Sequence, residues 1–221
     1  MFSKMQGLLF PDDYLVRFFF KNELNELKGS VLELGCGSGN NLMLFYEFGW
    51  NITGIDINSK SILQAKKNLQ LLPKKNNLFN LIEGKVELIS ELLPKNDKYD
   101  VIILSNIICY ISRNFIKNIF AFLREILLPH GFIFLRTRTV SDYRYARGDE
   151  IAPNEFILRL KETGEEGLLN VFYQEWELVE LVWKNLNIDL SKLTILHVDF
   201  DNVQNGKIIR NSDLVLWGKC G

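Results

Sequence analysis

The sequence predicts an α/β fold, with an open and mostly parallel sheet covered by helices on both faces. Between residues 30 and 138, segments with strand character alternate with segments of helical apolar spacing. Such alternation is typical of parallel strands joined by crossover helices. One of these strands, YDVIILS at 99–105, is an almost continuous apolar run, which is typical of a strand buried on both faces.

The chain is expected to form one domain over residues 1–221. Its hydrophobic content of 47% and charged content of 24% are typical of a globular protein, and one core can serve a chain of this length. Residues 1–29 are predicted to form a helical lead. Residues 139–172 are predicted to form an insert on the substrate side, because this polar stretch is too long for a simple connection.

The first half of the chain is predicted to contain a helical lead and two strand–helix units. Asp12 and Asp13 are candidate N-caps of a helix that runs through Leu24 and ends near Gly29. The next predicted elements are a strand at 30–35, a helix at 40–48 closed by Gly49, a strand at 51–56 and a helix at 59–71 stopped by Pro73.

The second half is predicted to continue the alternation and then to end in a hairpin. Its predicted elements are a strand at 78–83, a short helix at 86–93, a strand at 99–105, a helix from Ser112 to Leu127, a turn at Pro129–Gly131, a strand at 131–138, a helix at 174–186, and strands at 193–200 and 213–220. Asn205-Gly206 is the predicted turn between the last two strands.

Charge and hydropathy exclude several classes of protein. The formal net charge of −1 at pH 7 provides no global basic field of the kind that dedicated nucleic-acid-binding proteins use. No apolar run approaches the roughly 18 residues of a membrane span, and the N-terminus has no signal-peptide pattern. We therefore expect a cytoplasmic protein with a small-molecule substrate and no nucleic-acid or membrane partner. The oligomeric state stays open.

The cysteines and histidines do not form a pattern for metal binding. Cys36, Cys109 and Cys220 are odd in number, widely separated and without a CxxC pair, so neither a disulfide framework nor a zinc site is indicated. His130 lies in a predicted turn and His197 on a late strand, and both positions favour a structural role. No metal site is therefore expected.

A glycine-rich turn follows the first predicted strand. In VLELGCGSG at 31–39, Gly35, Gly37 and Gly39 allow a sharp turn and a close approach of the backbone to a ligand. The dinucleotide fingerprint GxGxxG places a pyrophosphate at this turn, whereas here Glu33 precedes a GxGxG pattern. A carboxylate would repel a pyrophosphate but would suit an ammonium and a sulfonium, and S-adenosylmethionine carries both. Asp56, at the end of the second strand, suits the ribose hydroxyls.

The chain resembles the class I S-adenosylmethionine-dependent methyltransferases. The resemblance rests on VLELGCGSGN, GIDIN, YDVIILSNIICYI and LLPHGFIFL and covers residues 30 to 137. It implies a Rossmann-like sheet of seven strands whose last strand is antiparallel, and S-adenosylhomocysteine as the product. The site residues it implies are Glu33, Gly35, Cys36, Gly37 and Gly39 at the methionine end, Asp56 at the ribose, Ile57 at one adenine face, and Ser105 and Asn106 beside the methyl group.

Lys85 is a departure from this family pattern, because relatives often have an acidic residue after the position of Gly84 to receive the adenine amino group. Val86 and Glu87 are candidates to replace that contact, since an N–H donor requires only an acceptor within about 3 Å. Tyr14 and Arg17 are candidates to close over the carboxylate of the cofactor.

Arginines at the start of the insert indicate an anionic acceptor. Arg136, Arg138, Arg144 and Arg147 lie within one short stretch, and guanidinium groups bind phosphate and carboxylate bidentately. Arg136 and Arg138 leave a strand on the same face, so at least one is expected to point into the site and to need an anionic partner. Candidate acceptors are a phosphate, a phosphoramidate, a carboxylate or a sugar derivative, and a loose likeness to methyltransferases of bacterial surface-glycan pathways suggests one setting.

The acceptor atom decides whether a base is needed. An oxygen that is already ionised needs none, and O-methylation by direct displacement then follows. A hydroxyl acceptor would need Tyr110, Tyr143 or Tyr145 to take its proton. Two alternative functions stay open: a nucleic-acid methyltransferase, although SNIICY replaces the Asn/Asp-Pro-Pro-aromatic motif, and a nicotinamide-dependent oxidoreductase, although GxGxxG is missing.

Overall fold

The computed structural model describes residues 10–73 and 76–221. Its main sheet has seven strands in the order β3-β2-β1-β4-β5-β10-β9. The strands are β1 (Ser30–Leu34), β2 (Asn51–Asp56), β3 (Phe79–Glu83), β4 (Tyr99–Ser105), β5 (Leu127–Arg138), β9 (Thr194–Gln204) and β10 (Lys207–Lys219). The first five are parallel, and β10 is antiparallel to both β5 and β9. The predicted seven-stranded sheet with an antiparallel last strand is confirmed.

Helices cover both faces of the sheet. They are α1 (Asp13–Lys21), α2 (Asn40–Glu47), α3 (Ser59–Gln70), α4 (Ile89–Leu92), α5 (Arg113–Ile126) and α6 (Glu175–Leu186). Alternate residues of β1 belong to different cores: Val31 packs in the core that includes residues of α1, α2 and α3, and Leu32 in the core that includes residues of α4, α5 and α6. The period of two along a strand produces this division.

The insert contains a small second sheet that the sequence analysis did not predict. Its strands are β6 (Gly148–Ala152), β7 (Glu155–Leu158) and β8 (Leu169–Val171), in that order. Phe156, Leu158 and Phe172 form its own small core. The strand β6, with the sequence GDEIA, is largely exposed, so it lacks the alternating apolar pattern that identifies a half-buried strand.

Three element boundaries differ from the predictions. The helix α1 ends at Lys21, before a separate short turn at Leu24–Glu26. The strand β5 begins at Leu127, and the predicted turn is an irregularity inside it, where His130 has a φ of 62°. The strand β10 begins at Lys207, because residues 207–212 pair with β9 alone, beyond the edge of β5. The residues of this extension do not alternate between apolar and polar types, so the sequence gives no strand pattern there.

The parallel arrangement brings four strand ends to one edge. Since β1, β2, β4 and β5 run in the same direction, Glu33, Asp56, Ser105 and Arg136 all lie towards their carboxyl ends. This edge is where open α/β sheets bind ligands. Residues 1–9 of the predicted lead lie outside the described residues. Within the described ranges, no helix has the length and apolarity needed to cross a bilayer.

Candidate active site

A cavity of about 1000 Å³, here called the central cavity, opens at the carboxyl edge of the sheet. Many of the predicted site residues line it together: Glu33, Gly35, Cys36, Gly37, Ser105, Asn106, Arg136, Arg138 and Arg144. Residues of the lead and the insert complete the lining, among them Asp12, Asp13, Thr163 and Glu165. The cavity therefore joins the glycine-rich turn and three of the four predicted arginines in one space.

The glycine-rich turn has a backbone shape that requires glycine. Gly35 and Gly37 have φ angles of 72° and 51°, in the left-handed region that side chains disfavour. A Cβ atom at Gly35 would lie 2.7 Å from Cδ1 of Ile107. The Gly37 N–H donates to Oδ2 of Asp56 at 2.8 Å, which fixes the turn to the end of β2.

Glu33 has a buried oxygen that faces no donor. The residue is 2% exposed, Oε1 accepts from Asn41 Nδ2 at 2.6 Å, and Oε2 has no hydrogen-bond partner among residues 10–73 and 76–221. Burial raises the pKa of Glu33 to about 8, against the lowering effect of the Asn41 bond, and the nearby Asp12 and Asp56 raise it further. An acceptor that is buried at the cavity wall without a donor fits a positively charged ligand group.

The residues predicted for the ribose and the adenine lie beside the central cavity and do not line it. Asp56 accepts from Gly37 N and from Asn58 N, one bond to each oxygen, and each oxygen can accept a second bond. Ile57 is 63% exposed next to it. Val86 and Glu87 lie in a short turn that follows β3. Gly39, the last glycine of the turn, is the N-cap residue of α2.

Arg136 already has two carboxylate partners. Its Nη1 lies 2.8 Å from Asp12 Oδ2, and its Nη2 lies 2.7 Å from Asp213 Oδ2. The three side chains are almost buried, and Ser105 Oγ donates to the same Asp12 oxygen at 3.4 Å. The sequence predicts that at least one of Arg136 and Arg138 needs an anionic partner, and for Arg136 the chain itself supplies two.

Arg138 and Arg144 share one carboxylate of the insert. Glu165 Oε1 accepts from Arg138 Nη2 at 2.6 Å, and Glu165 Oε2 lies 2.8 Å from Arg144 Nε. The Tyr110 hydroxyl donates to Glu165 Oε1 at 2.8 Å. Asp142 also pairs with Arg144, at 3.1 Å. Both arginines thus line the cavity with their charges compensated from within the chain.

Four predicted site residues point away from the central cavity. The Tyr143 ring stacks under Arg147, whose guanidinium carbon is 3.5 Å from the ring centroid. Both line a separate surface depression of about 430 Å³. The Tyr145 hydroxyl donates to Asn154 Oδ1, and its ring packs in the small core of the insert. Arg17 is exposed on α1. The sequence could not show where the side chains of Tyr143, Tyr145 and Arg147 point, because the fold of the insert sets their directions.

Tyr14 and Tyr110 have structural contacts near the cavity. Tyr14 is half-buried on α1, with its ring 5.7 Å from the guanidinium carbon of Arg136. Tyr110 is a hydrogen-bond donor to Glu165, and burial raises its pKa above the ordinary value. A phenol that donates to a carboxylate and resists ionisation is poorly suited to accept a proton, and the role of Tyr110 as a base stays a prediction.

Three carboxylates at the cavity, Asp12, Glu165 and Asp213, and an arm that contributes to its wall were not predicted as parts of the site. Asp12 is the predicted N-cap of α1, accepting from Tyr14 N and Leu15 N, but its bond to Arg136 was not predicted. Asp213 pairs with Arg138 in the β10–β5 register, which no local pattern encodes. The arm of β9 and β10 adds Phe200, Asn202, Gln204 and Asn211.

Comparisons with known proteins agree with this geometry. A family model described as a methyltransferase domain matches residues 1–191. A Pelagibacter ubique protein named ubiquinone biosynthesis O-methyltransferase is 30% identical over 168 residues, covering 74% of this chain and 62% of its own length. An uncharacterized protein of Haemophilus influenzae is 37% identical over 91 residues, 40% of this chain and 35% of its own length. The chain thus spans less than two thirds of either relative.

A solved structure supports the same fold. An S-adenosylmethionine-dependent methyltransferase from Methanosarcina mazei matches with a TM-score of 0.65 at 19% identity, over 86% of this chain and 92% of that one. This likeness concerns the fold, whereas the family model covers most of the sequence. The chain therefore belongs to the class I S-adenosylmethionine-dependent methyltransferases.

Proposed function

We propose that this enzyme methylates an oxygen of a small, anionic metabolite bound in the central cavity. The observation that carries the proposal is that Glu33 and the glycine-rich turn share one cavity with Arg138 and Arg144. Its volume of about 1000 Å³ lies at the upper end of the range for small-molecule sites. That volume suits a cofactor and a small acceptor side by side.

The residues of the glycine-rich turn fit the cofactor chemically. S-adenosylmethionine supplies a methyl group on a positively charged sulfur. A nucleophile attacks the methyl carbon directly, and the sulfur leaves. Glu33 Oε2 offers a buried negative partner to its cationic end, and Asp56 has spare acceptor capacity for hydroxyls. In this proposal Ile57, Val86 and Glu87 bind the adenine.

Ser105 and Asn106 line the same central cavity as the glycine-rich turn and the arginines. Asn106 has a φ of 56°, and its N–H donates to the Arg136 carbonyl oxygen at 2.8 Å. The ends of β4 and β5 are thereby held together. We assign these two residues to the mouth beside the transferred methyl group, where they orient the acceptor and exclude water.

The hydrogen bonds of the three candidate tyrosines favour an acceptor oxygen that is already ionised and needs no base. Tyr110, Tyr143 and Tyr145 each donate their hydroxyl to an oxygen of the chain, so none offers a free base. A carboxylate or phosphate oxygen needs no base in a direct displacement. The name of the Pelagibacter relative, an O-methyltransferase, also supports oxygen as the acceptor atom.

The thiols support a cytoplasmic location as part of this proposal. Cys36, Cys109 and Cys220 are all free, and the first two are buried. Burial raises the pKa of Cys109 to about 11, so the thiol resists oxidation. Unpaired cysteines are typical of a reducing compartment.

The test is a search for the acceptor followed by a matched pair of variants. The enzyme is incubated with S-adenosylmethionine and fractionated metabolite extract, and mass spectrometry detects S-adenosylhomocysteine and any product that gains a methyl group. With that acceptor, Arg138→Gln is expected to raise KM at least about tenfold, because a charged hydrogen-bond partner is lost. Arg147→Gln, outside the cavity, should stay within about twofold.

Two results would remove the proposal. An acceptor without an anionic group excludes the anionic class directly. An unchanged KM in Arg138→Gln excludes this arginine from acceptor binding. The affinity for S-adenosylhomocysteine, measured by calorimetry in both variants, shows whether the cofactor side of the site is intact.

A further inference from the structure

Glu165 fills a socket formed by Tyr110, Arg138 and Arg144, here called the carboxylate socket. Its Oε1 accepts from Arg138 Nη2 at 2.6 Å and from the Tyr110 hydroxyl at 2.8 Å. Its Oε2 accepts from Arg138 Nη1 at 3.0 Å and lies 2.8 Å from Arg144 Nε. Each oxygen therefore has two partners, and all of them are side chains that line or adjoin the central cavity.

Two neighbouring carboxylates, Asp12 and Asp142, also bond to backbone N–H groups, which fixes them in place. Asp12 caps α1 through two backbone N–H groups. Asp142 accepts from the backbone of Arg144 and of Ser212 as well as from the Arg144 side chain. Glu165 makes no such side-chain bond to the backbone among the described hydrogen bonds. Its carboxylate is therefore held by the socket alone.

The segment that carries Glu165 consists of turns and connects β7 to β8, spanning residues 159–168. Gly164 and Gly167 flank the residue with φ angles of 71° and 80°. A Cβ atom at either glycine would meet no other atom within 4 Å. No side-chain packing holds these two glycines in place, and the Gly167 N–H bond to the Leu158 carbonyl oxygen, at 2.8 Å, ties the end of the segment to β7. We therefore expect the Glu165 side chain to leave the socket while β7 and β8 stay paired.

The charge of the socket matches one monoanion. Arg138 and Arg144 carry two positive charges, and Asp142 compensates one of them. When Glu165 leaves the socket, one positive charge therefore remains there. The paired contacts suit two oxygens in a plane, the geometry that an arginine fork recognises in a carboxylate. A phosphate dianion would exceed this single positive charge, so a carboxylate matches it better.

We propose that the carboxylate socket is the subsite for a carboxylate group of the acceptor, and that Glu165 occupies it until the acceptor displaces it. This inference rests on the proposed function and narrows its acceptor class from anions to carboxylic acids. The tethered glutamate is an intramolecular competitor, present at a high effective concentration. The acceptor displaces Glu165 from the carboxylate socket because the acceptor also contacts the rest of the central cavity.

Acetate is the probe for the empty socket. Calorimetry measures acetate binding to the full chain saturated with S-adenosylhomocysteine, at constant ionic strength adjusted with chloride. Glu165→Ala is expected to bind acetate at least about tenfold more tightly than the unaltered enzyme, because the tethered competitor is gone. Glu166→Ala, an exposed neighbour, is the matched control and should bind like the unaltered enzyme. Inorganic phosphate should bind Glu165→Ala more weakly than acetate.

A second variant covers the case in which Glu165→Ala fails to fold. Glu165→Gln keeps the volume and removes the charge, so acetate affinity should rise in the same direction, and adding Arg138→Lys should abolish the gain by removing the fork. Equal acetate affinity in Glu165→Gln and Glu166→Ala would overturn the inference, and so would tighter binding of phosphate. If acetate binds as expected but no anionic metabolite is methylated, the proposed function fails and the anion subsite remains; if the methylated anion carries no carboxylate, the inference fails and the proposed function stands.

Discussion

Replacing Glu33 with glutamine tests the electrostatics on which the cofactor site depends. Glu33 is buried and its Oε2 has no donor, which raises its pKa from 4.5 to about 8. Because the folded-state pKa lies above the unfolded-state value, the folded protein without ligand keeps a proton that the unfolded chain releases. The stability from this group is full below pH 4.5 and is lost as the pH rises to about 8.

The size of the effect follows from the interval between those pKa values. The pKa of Glu33 rises from 4.5 to about 8, and each pKa unit corresponds to about 1.4 kcal/mol. Raising the pH above 8 therefore lowers the unfolding free energy of the ligand-free enzyme by at most about 5 kcal/mol. Glutamine keeps the shape and the bond from Asn41 but carries no charge. The Glu33→Gln variant is therefore expected to be more stable than the unaltered enzyme at pH 9 and close to it at pH 5.

The affinity for the cofactor should depend on pH in the direction opposite to that of stability. A cationic ligand requires Glu33 to be ionised, so the affinity of the unaltered enzyme for S-adenosylmethionine should rise by up to about tenfold per pH unit between pH 6 and 8. Glu33→Gln should bind more weakly at pH 8 and lose this dependence. Urea denaturation and calorimetry in buffers of different ionisation enthalpy measure the two effects. Equal pH profiles for both proteins would refute the assignment of Glu33.

Two further variants test the surroundings of the cavity. Gly35→Ala forces a side chain into the left-handed region, 2.7 Å from Ile107 Cδ1, and should lower stability by about 2 kcal/mol; a melting temperature equal to that of the unaltered enzyme would contradict this. Asp213→Asn removes one buried partner of Arg136 and should cost about 3 kcal/mol in urea denaturation. Asp149→Asn, from an exposed ion pair, is the control and should change stability by less than about 1 kcal/mol.

The core of the fold was predictable because its signals are local. The apolar run of β4, the helical spacing of α5 and the glycine-rich turn after β1 each determine their own element. The resemblance of residues 30 to 137 implied seven strands with an antiparallel last strand, and the structure has them. The insert was not predictable in this way. Its strands β6 to β8 are short and partly exposed, and their pairing depends on contacts that no local pattern carries.

The arginines show the same division at the site. The sequence placed Arg136 and Arg138 at the end of an apolar strand, and both do line the central cavity. It could not show that Asp213 reaches Arg136 from an antiparallel neighbour, or that Glu165 reaches Arg138 from 27 residues away. Tyr143 and Arg147, close in sequence to the other candidates, turn outwards, since the insert folds on its own small core.

The sequence by itself determined the open α/β sheet, the glycine-rich turn and the pair of carboxylates at Glu33 and Asp56, because spacing along a strand and a turn is a property of neighbouring residues. Only the tertiary structure decided which charges in the central cavity are compensated. Ion pairs such as Arg136 with Asp12 join residues 124 positions apart. Their existence depends on the register of strands and the path of the insert, which long-range packing sets.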